Sequence, residues 1–132
     1  MLKHCIAGIL LILLLALAPL AMGQNMPNGK WWKDPRVVKE LNLTSGESQR
    51  LDQLFVKSRR RLIDLKNQVE KEQFEYQTLM ESPDLDEAAV KRQLKKLEKA
   101  RSALNAERSR FVVGVRKILG RDRFQRLQQI YR

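Results

Sequence analysis

The side chains that most often perform catalysis or bind soft metals are scarce in this sequence. Among 132 residues there is one histidine and one cysteine, His4 and Cys5, which are adjacent near the N-terminus. Once this terminus is removed, no imidazole or thiol remains for a Cys–His nucleophile, a Ser-His-Asp triad, a zinc site or a disulfide. We therefore expect no enzymatic activity and no cofactor.

The first 23 residues have the features of a secretory signal. Lys3 precedes a nearly unbroken apolar stretch from Cys5 to Ala21, and Ala21-Met22-Gly23 offers small residues before a cut at Gln24. The stretch is slightly shorter than the roughly 20 apolar residues that span a bilayer. We predict that residues 1–23 are a cleaved signal peptide, with an uncleaved N-terminal anchor as the alternative.

Basic side chains dominate the chemistry of the remaining chain. Residues 24–132 carry 25 Lys and Arg against 15 Asp and Glu, a net charge of +10. This charge either makes a solvated face or attracts acidic partners. Nucleic acid is not expected, because the protein is exported and its most basic helix lacks aromatic stacking platforms. Binding to an anionic membrane surface is compatible with the charge but is not favoured.

The remaining acidic residues give no convincing metal site. Asp84, Asp86 and Glu87 lie close together in sequence, as do Glu70, Glu72 and Glu75, but neither group has the spacing of a calcium-binding loop. We interpret the first group as helix caps and the second as a solvated helix face. No metal ligand is predicted.

Turn and capping signals predict an all-α fold. Residues 24–33 form an irregular, Asn/Pro/Gly-rich leader, and Asp34-Pro35 then begins a short helix that ends near Asn42. Thr44 and Glu47 have capping-box spacing at the start of a long helix without Pro or Gly from Glu47 to Ser82. About 36 residues at 1.5 Å each make it roughly 54 Å long.

A second long helix follows the break at Ser82-Pro83. Asp84 or Asp86 caps it, Glu87 completes a capping box with Asp84, and Gly120 ends it. A last short helix has four apolar side chains on one face, namely Phe124, Leu127, Ile130 and Tyr131. Residues 34–132 therefore form one domain, in which the short link makes the long helices an antiparallel hairpin flanked by short helices.

The apolar periodicity predicts how the two long helices meet. The contact row of the second long helix comprises Val90, Leu94, Leu97, Arg101, Leu104, Arg108, Phe111, Val115 and Ile118. In this row the arginines fix the register while their charged ends reach solvent. Several apolar side chains fall outside it and need the short helices, a client or a second subunit to cover them. We expect a homodimer.

These considerations select two sets of candidate binding residues. The basic set is Arg59, Arg60, Lys66, Lys91, Lys95, Arg101 and Arg108. The apolar set, assigned to client binding or to dimer contacts, is Trp31, Trp32, Val56, Ile63, Phe74 and Val112. For the two tryptophans, packing into the core remains the competing interpretation.

The order of several short motifs resembles a known family. Trp31-Trp32-Lys33-Asp34-Pro35, then Leu43-Thr44-Ser45-Gly46-Glu47, a long helix and Asp86-Glu87-Ala88-Ala89-Val90 are similar to the exported LTxxQ-motif proteins. This family includes Spy-like, CpxP-like and zinc-resistance-associated proteins, also labelled heavy-metal sensors. Glu47 stands where the family has Gln, which a capping box also accepts. The second motif, Leu119-Gly120-Arg121-Asp122-Arg123, lacks both Thr and Gln.

The resemblance implies a cradle-shaped homodimer in the periplasm of a Gram-negative bacterium. Family members act as chaperones that need no ATP, as modulators of a sensor kinase, or as metal-responsive proteins. Because residues 24–132 lack His and Cys, we favour a chaperone that captures unfolded envelope proteins by charge and holds them by apolar contacts. The alternative is a heavy-metal sensor or resistance accessory protein that modulates a membrane stress sensor, with the periplasmic domain of a sensor kinase as a further partner.

Overall fold

The computed structural model describes residues 26–27 and 29–132, and the predicted signal segment 1–23 lies outside this range. The described elements are a 3-10 turn (Trp31–Lys33) and helices α1 (Pro35–Glu40), α2 (Ser45–Met80), α3 (Glu87–Leu119) and α4 (Arg121–Ile130). The predicted all-α class and the antiparallel hairpin are confirmed, since α2 and α3 pack along each other. Within the described range no helix is long and apolar enough to cross a membrane.

The first two helices begin where the capping signals predict. The Asp34 carboxylate accepts a hydrogen bond from the Arg36 N–H at 2.9 Å, with Pro35 in the first turn of α1. At the start of α2 the Glu47 N–H donates to Thr44 Oγ1, and the Thr44 N–H donates to Glu47 Oε1, both at 3.1 Å. The predicted capping box is present, so two N–H groups that lack helical partners are satisfied.

The hairpin turn differs from the prediction in one detail. Asp86 caps α3 by accepting from the Ala89 N–H at 3.0 Å, and Glu87 is already the first residue of the helix. The predicted capping box of Asp84 and Glu87 is therefore wrong, because Asp84 lies outside the capping position. The predicted end of α3 is confirmed at Gly120, whose φ of +81° is accessible to glycine at little strain.

The hydrophobic core lies at the open end of the hairpin. There the short helices and the 3-10 turn pack where α2 begins and α3 ends. The core residues are Trp31, Trp32, Val37, Leu41, Leu51, Val115, Leu119 and Leu127. Of the predicted apolar face of α4, Leu127 is fully buried, Phe124 and Ile130 are partly buried, and Tyr131 is exposed.

The tryptophans belong to this core. Trp32 is fully buried, its ring lies edge-on to those of Trp31 and Phe55, and its indole N–H donates to Asp52 Oδ1 at 2.9 Å. Lys33 pairs with the same carboxylate at 2.7 Å. The sequence left two interpretations open for Trp31 and Trp32, a contact with clients or a second subunit and packing into the core. In the structure both are packed in the core, where no client can reach them.

Along part of α3, the residues that contact α2 are shifted by one position from the predicted contact row. The buried row is Gln93, Leu97, Ala100, Leu104, Glu107, Val115 and Leu119. Leu94, Arg101 and Arg108 are exposed, so their prediction as contact positions is wrong. Gln93 and Glu107 can occupy the row because they are hydrogen-bonded there, whereas Arg101 and Arg108 keep their charged groups in solvent.

Buried polar groups pair between the two long helices. The Gln93 amide donates to Glu72 Oε2 at 2.5 Å and to the Glu72 backbone oxygen at 3.1 Å. The Glu107 carboxylate, almost fully buried, is bound by Arg110 and lies 3.7 Å from Arg61 Nη1. The Gln93–Glu72 and Arg61–Glu107 contacts connect the two helices and so set the register of the hairpin away from the hydrophobic core, whereas the Arg110–Glu107 pair lies within α3.

Candidate functional site

Four cations from the two long helices lie on the same side of the hairpin. Arg59 and Lys66 are seven residues apart on α2, and Arg101 and Arg108 are seven apart on α3, so each pair lies two turns along one helix side. Gln73 continues the α2 row, because it lies seven residues after Lys66. Arg101 Nη2 donates to Gln73 Oε1 at 2.7 Å, so the rows on α2 and α3 face the same side of the hairpin. We call this surface the arginine face.

The charges of the arginine face are unneutralised within the described part of the chain. None of its four cations forms an ion pair there. The described ion pairs instead engage other bases, mostly near the core end of the hairpin. The cations that remain are therefore available to an acidic partner, and their fields add along the face.

Apolar surface accompanies these cations. A cleft of about 80 Å³ between the helices is lined by Phe55, Ser58, Arg59, Leu62 and Phe111. The buried Ser58 hydroxyl has no hydrogen-bond partner among the described residues. Leu94 and Val112 expose apolar surface on the same side. The face therefore combines positive charge with a recess that accepts a small apolar side chain.

A longer groove follows the opposite side of the hairpin. Its two largest sections, of about 400 and 280 Å³, share Leu65 and Ala103. The groove exists because Ala100, Ala103 and Ala106 leave room beside α2. The predicted site residues do not include it, although three alanines at three-residue spacing are visible in the sequence and indicate one small-residue side of α3.

The predicted site residues separate into several groups in space. Arg59, Lys66, Arg101, Arg108 and Val112 share the arginine face, whereas Val56, Ile63 and Phe74 are exposed on the side of α2 away from α3. Lys91, Lys95 and Arg60 are exposed on outer sides of their helices. One continuous binding surface is therefore not formed by the whole predicted set.

Two of the three motif positions that depart from the family pattern, Glu47 and Arg123, contact each other. The Arg123 guanidinium donates to Glu47 Oε1 at 2.9 Å and to Glu47 Oε2 at 2.5 Å, and to the Leu119 backbone oxygen at 2.9 Å. This bidentate pair connects the start of α2 to α4, and so joins the two ends of the hairpin core. The hydrogen bond from Arg123, opposed by burial, lowers the pKa of Glu47 from 4.5 to about 2.

The lowered pKa predicts a loss of stability in acid. Because Glu47 binds a proton more readily in the unfolded chain, its contribution is complete above about pH 4.5 and is lost as the pH falls towards 2. The shift corresponds to about 3 kcal/mol. Denaturant unfolding between pH 7 and 2 should show this loss in the wild-type protein. In Glu47→Gln the corresponding part of the pH dependence should disappear; parallel curves for the two proteins would contradict the assignment.

The described residues contain no His or Cys, so their Asp and Glu side chains are the candidates for a metal site. No group of three or more His, Cys, Asp or Glu side chains in residues 26–27 and 29–132 is arranged to hold a metal ion. The most buried carboxylates, Glu47, Glu72 and Glu107, are already bound by arginine or glutamine side chains. Oxygen donors engaged in this way do not suit soft metals, which favour thiolate and imidazole ligands.

Comparisons with known proteins agree with the resemblance found in the sequence. A family model described as heavy-metal resistance matches residues 5–126, nearly the whole chain. No curated protein and no solved structure matches the chain significantly.

Proposed function

Because the chain belongs to the heavy-metal resistance family, we propose that it protects envelope proteins in the periplasm as a chaperone that needs no ATP. Metals and other envelope stresses expose apolar segments of proteins, and a protein that binds such segments prevents their aggregation. The proposed role is binding without catalysis. It needs no metal ligand.

The arginine face carries this proposal. Its cations have no acidic partner among the described residues, and an apolar cleft lies between the same two helices. Opposite charge raises the rate at which an acidic client segment is captured, whereas apolar contacts slow its release. Together they suit many clients, because neither attraction requires a particular sequence.

The location and assembly of the protein are further parts of the proposal. Segment 1–23 directs export, and the described part of the domain contains no cysteine, so it depends on packing and not on disulfides in an oxidising compartment. A homodimer would place two arginine faces in one particle. The periplasmic domain of a sensor kinase is a second partner of the kind that an unneutralised basic face attracts.

Reversing two charges on the arginine face should impair protection of clients. In Lys66→Glu/Arg108→Glu the capture rate of an unfolded acidic client should fall about tenfold or more, because local attraction becomes repulsion. The measurement is stopped-flow capture and light scattering of an aggregating model client. Raising salt from 0.1 M to 1 M should slow capture by the wild-type protein, since the screening length falls from about 10 Å to about 3 Å.

The matched control is Arg92→Glu/Lys117→Glu. These exposed residues of α3 lie away from the arginine face, and the substitution changes the net charge by the same amount. The control should retain most of the capture rate. If both double variants lose the same fraction of the capture rate, net charge and not the position of the charges determines that rate. An unchanged capture rate in Lys66→Glu/Arg108→Glu would refute the electrostatic mechanism.

A metal-responsive regulatory protein is the second candidate, favoured by the family match alone. In that case the protein binds the metal and reports it to a membrane stress sensor. Calorimetric titration of the protein with zinc, copper and nickel separates the two candidates. Tight binding at a fixed stoichiometry by residues 24–132 would place the sensor ahead of the chaperone.

A further inference from the structure

Three exposed apolar side chains form a line on the outer side of α2. Val56, Ile63 and Phe74 are 44%, 50% and 69% exposed. Their spacings of seven and eleven residues are close to two and three helical turns, so they lie along one side over about 27 Å. They point away from α3, because the buried side of α2, which packs against α3, contains Leu51, Ser58 and Glu72. We call this line the outer ridge.

Charges beside the outer ridge are mainly positive. Four cations, Arg59, Arg60, Lys66 and Lys71, flank it with two acids, Asp64 and Glu70, and none of the six forms an ion pair among the described residues. A second copy docked ridge to ridge would bring like charges together. Cations outnumber acids beside the ridge, although Glu70 lies on its line seven residues after Ile63, so the charges favour an occupant that contributes negative charge.

The shape of the ridge indicates what kind of negative partner it fits. The cleft and grooves described above lie between α2 and α3, and the ridge residues do not line them. The outer side of a single helix has no walls to enclose a peptide. Its side chains can, however, enter a fluid surface that closes around them, as interfacial helices with an apolar line and flanking cations do.

We propose that the outer ridge docks the hairpin on an anionic lipid surface. Phe74, Ile63 and Val56 enter the boundary between headgroups and acyl chains, and Arg60 and Lys71, the flanking cations outside the arginine face, contact lipid phosphates. α2 then lies parallel to the membrane. The arginine face adjoins the ridge on α2 and remains open to clients, so the proposal adds a location to the proposed function and does not depend on it.

The proposal is tested by sedimentation with vesicles of phosphatidylcholine alone or with added phosphatidylglycerol. The protein is used as cells produce it, with its N-terminus determined by mass. The wild-type protein should partition at least about tenfold more strongly onto the anionic vesicles. Ile63→Ser/Phe74→Ser should reduce that partitioning at least about tenfold. The loss of one large apolar side chain from the lipid already corresponds to about tenfold, so the figure is a lower bound for the loss of two.

A matched control separates the ridge from general surface apolarity. Val113 on α3 is 50% exposed, like Ile63, and Val113→Ser should leave partitioning unchanged. Any apolar segment at the N-terminus is shared by all the variants and cancels in the comparison. Arg60→Glu/Lys71→Glu should also weaken binding to anionic vesicles, while Arg92→Glu/Lys117→Glu should weaken it less.

Three results would overturn the proposal. The first is equal vesicle binding by Ile63→Ser/Phe74→Ser and the wild-type protein. The second is a change of oligomeric state in that variant without a change in lipid binding, which would assign the ridge to a second copy. The third is loss of client protection with lipid binding intact, which would assign the ridge to clients. Failure of client capture in Lys66→Glu/Arg108→Glu bears only on the proposed function.

Discussion

Replacing Arg123 with alanine is expected to lower the free energy of unfolding by about 3 kcal/mol. The substitution leaves the Glu47 carboxylate largely buried without its cation, and it removes the hydrogen bond to the Leu119 backbone oxygen. The penalty is below that of a fully buried pair because the Arg123 side chain remains partly exposed. Denaturant unfolding followed by circular dichroism at pH 7 measures it.

The partner substitutions test whether the pair itself is responsible. Glu47→Gln/Arg123→Gln should be more stable than either single glutamine variant, with a coupling of about 2 kcal/mol, because two amides satisfy each other and glutamine also completes the capping box. Arg126→Ala is the control. Arg126 is exposed, and among the described residues its side chain donates one hydrogen bond, to the Glu40 backbone oxygen at 3.3 Å. Its loss should therefore lower stability by about 0.5 kcal/mol or less. Additive losses in the double variant would exclude a direct pair.

Replacing Trp32 with alanine is expected to lower the free energy of unfolding by about 4 kcal/mol. The ring is fully buried between Trp31 and Phe55, so its removal leaves a cavity and frees the 3-10 turn from α2. The indole N–H also no longer reaches Asp52. The measurement is denaturant unfolding, with circular dichroism as the signal because the variant loses a fluorophore.

Trp32→Phe separates packing from the hydrogen bond. It keeps an aromatic ring and should lose less than half as much stability as Trp32→Ala. At temperatures where Trp32→Ala is folded, the rate of client capture should be unchanged, because the cations of the arginine face that set this rate are retained. Client release should be the step that changes, since Trp32 packs on Phe55, which lines the apolar cleft. Weaker capture with normal stability would instead make Trp32 part of a client site.

Local signals in the sequence were sufficient for the helices. Asp34, Thr44, Glu47 and Gly120 act at the ends of helices because capping depends on residues within one turn, and the two helix starts and the end of α3 agree with the prediction. Asp84 and Asp86 were harder to distinguish. Either carboxylate can cap a following helix, and the choice depends on where the hairpin turn ends.

Contacts between helices were predicted less well. Apolar periodicity placed Leu94, Arg101 and Arg108 in the contact row, yet Gln93, Ala100 and Glu107 occupy it. The pattern records the apolarity of a residue, whereas burial of Gln93 and Glu107 depends on partners on the other helix. The same limit explains the candidate site, since the sequence places Val56, Ile63 and Phe74 in one apolar set with Val112, although these three lie on the side of α2 away from α3.

The sequence by itself determined the all-α class, the hairpin, the excess of positive charge, the starts of α1 and α2 and the end of α3. These follow from short-range capping, from helical periodicity and from composition. Only the tertiary structure decided that Trp31 and Trp32 are core residues, that Glu47 and Arg123 form a pair across 76 positions of the chain, and which cations share a face. The physical reason is that pairing and burial depend on which helix sides meet, and one residue of rotation, about 100°, exchanges a buried side chain for an exposed one.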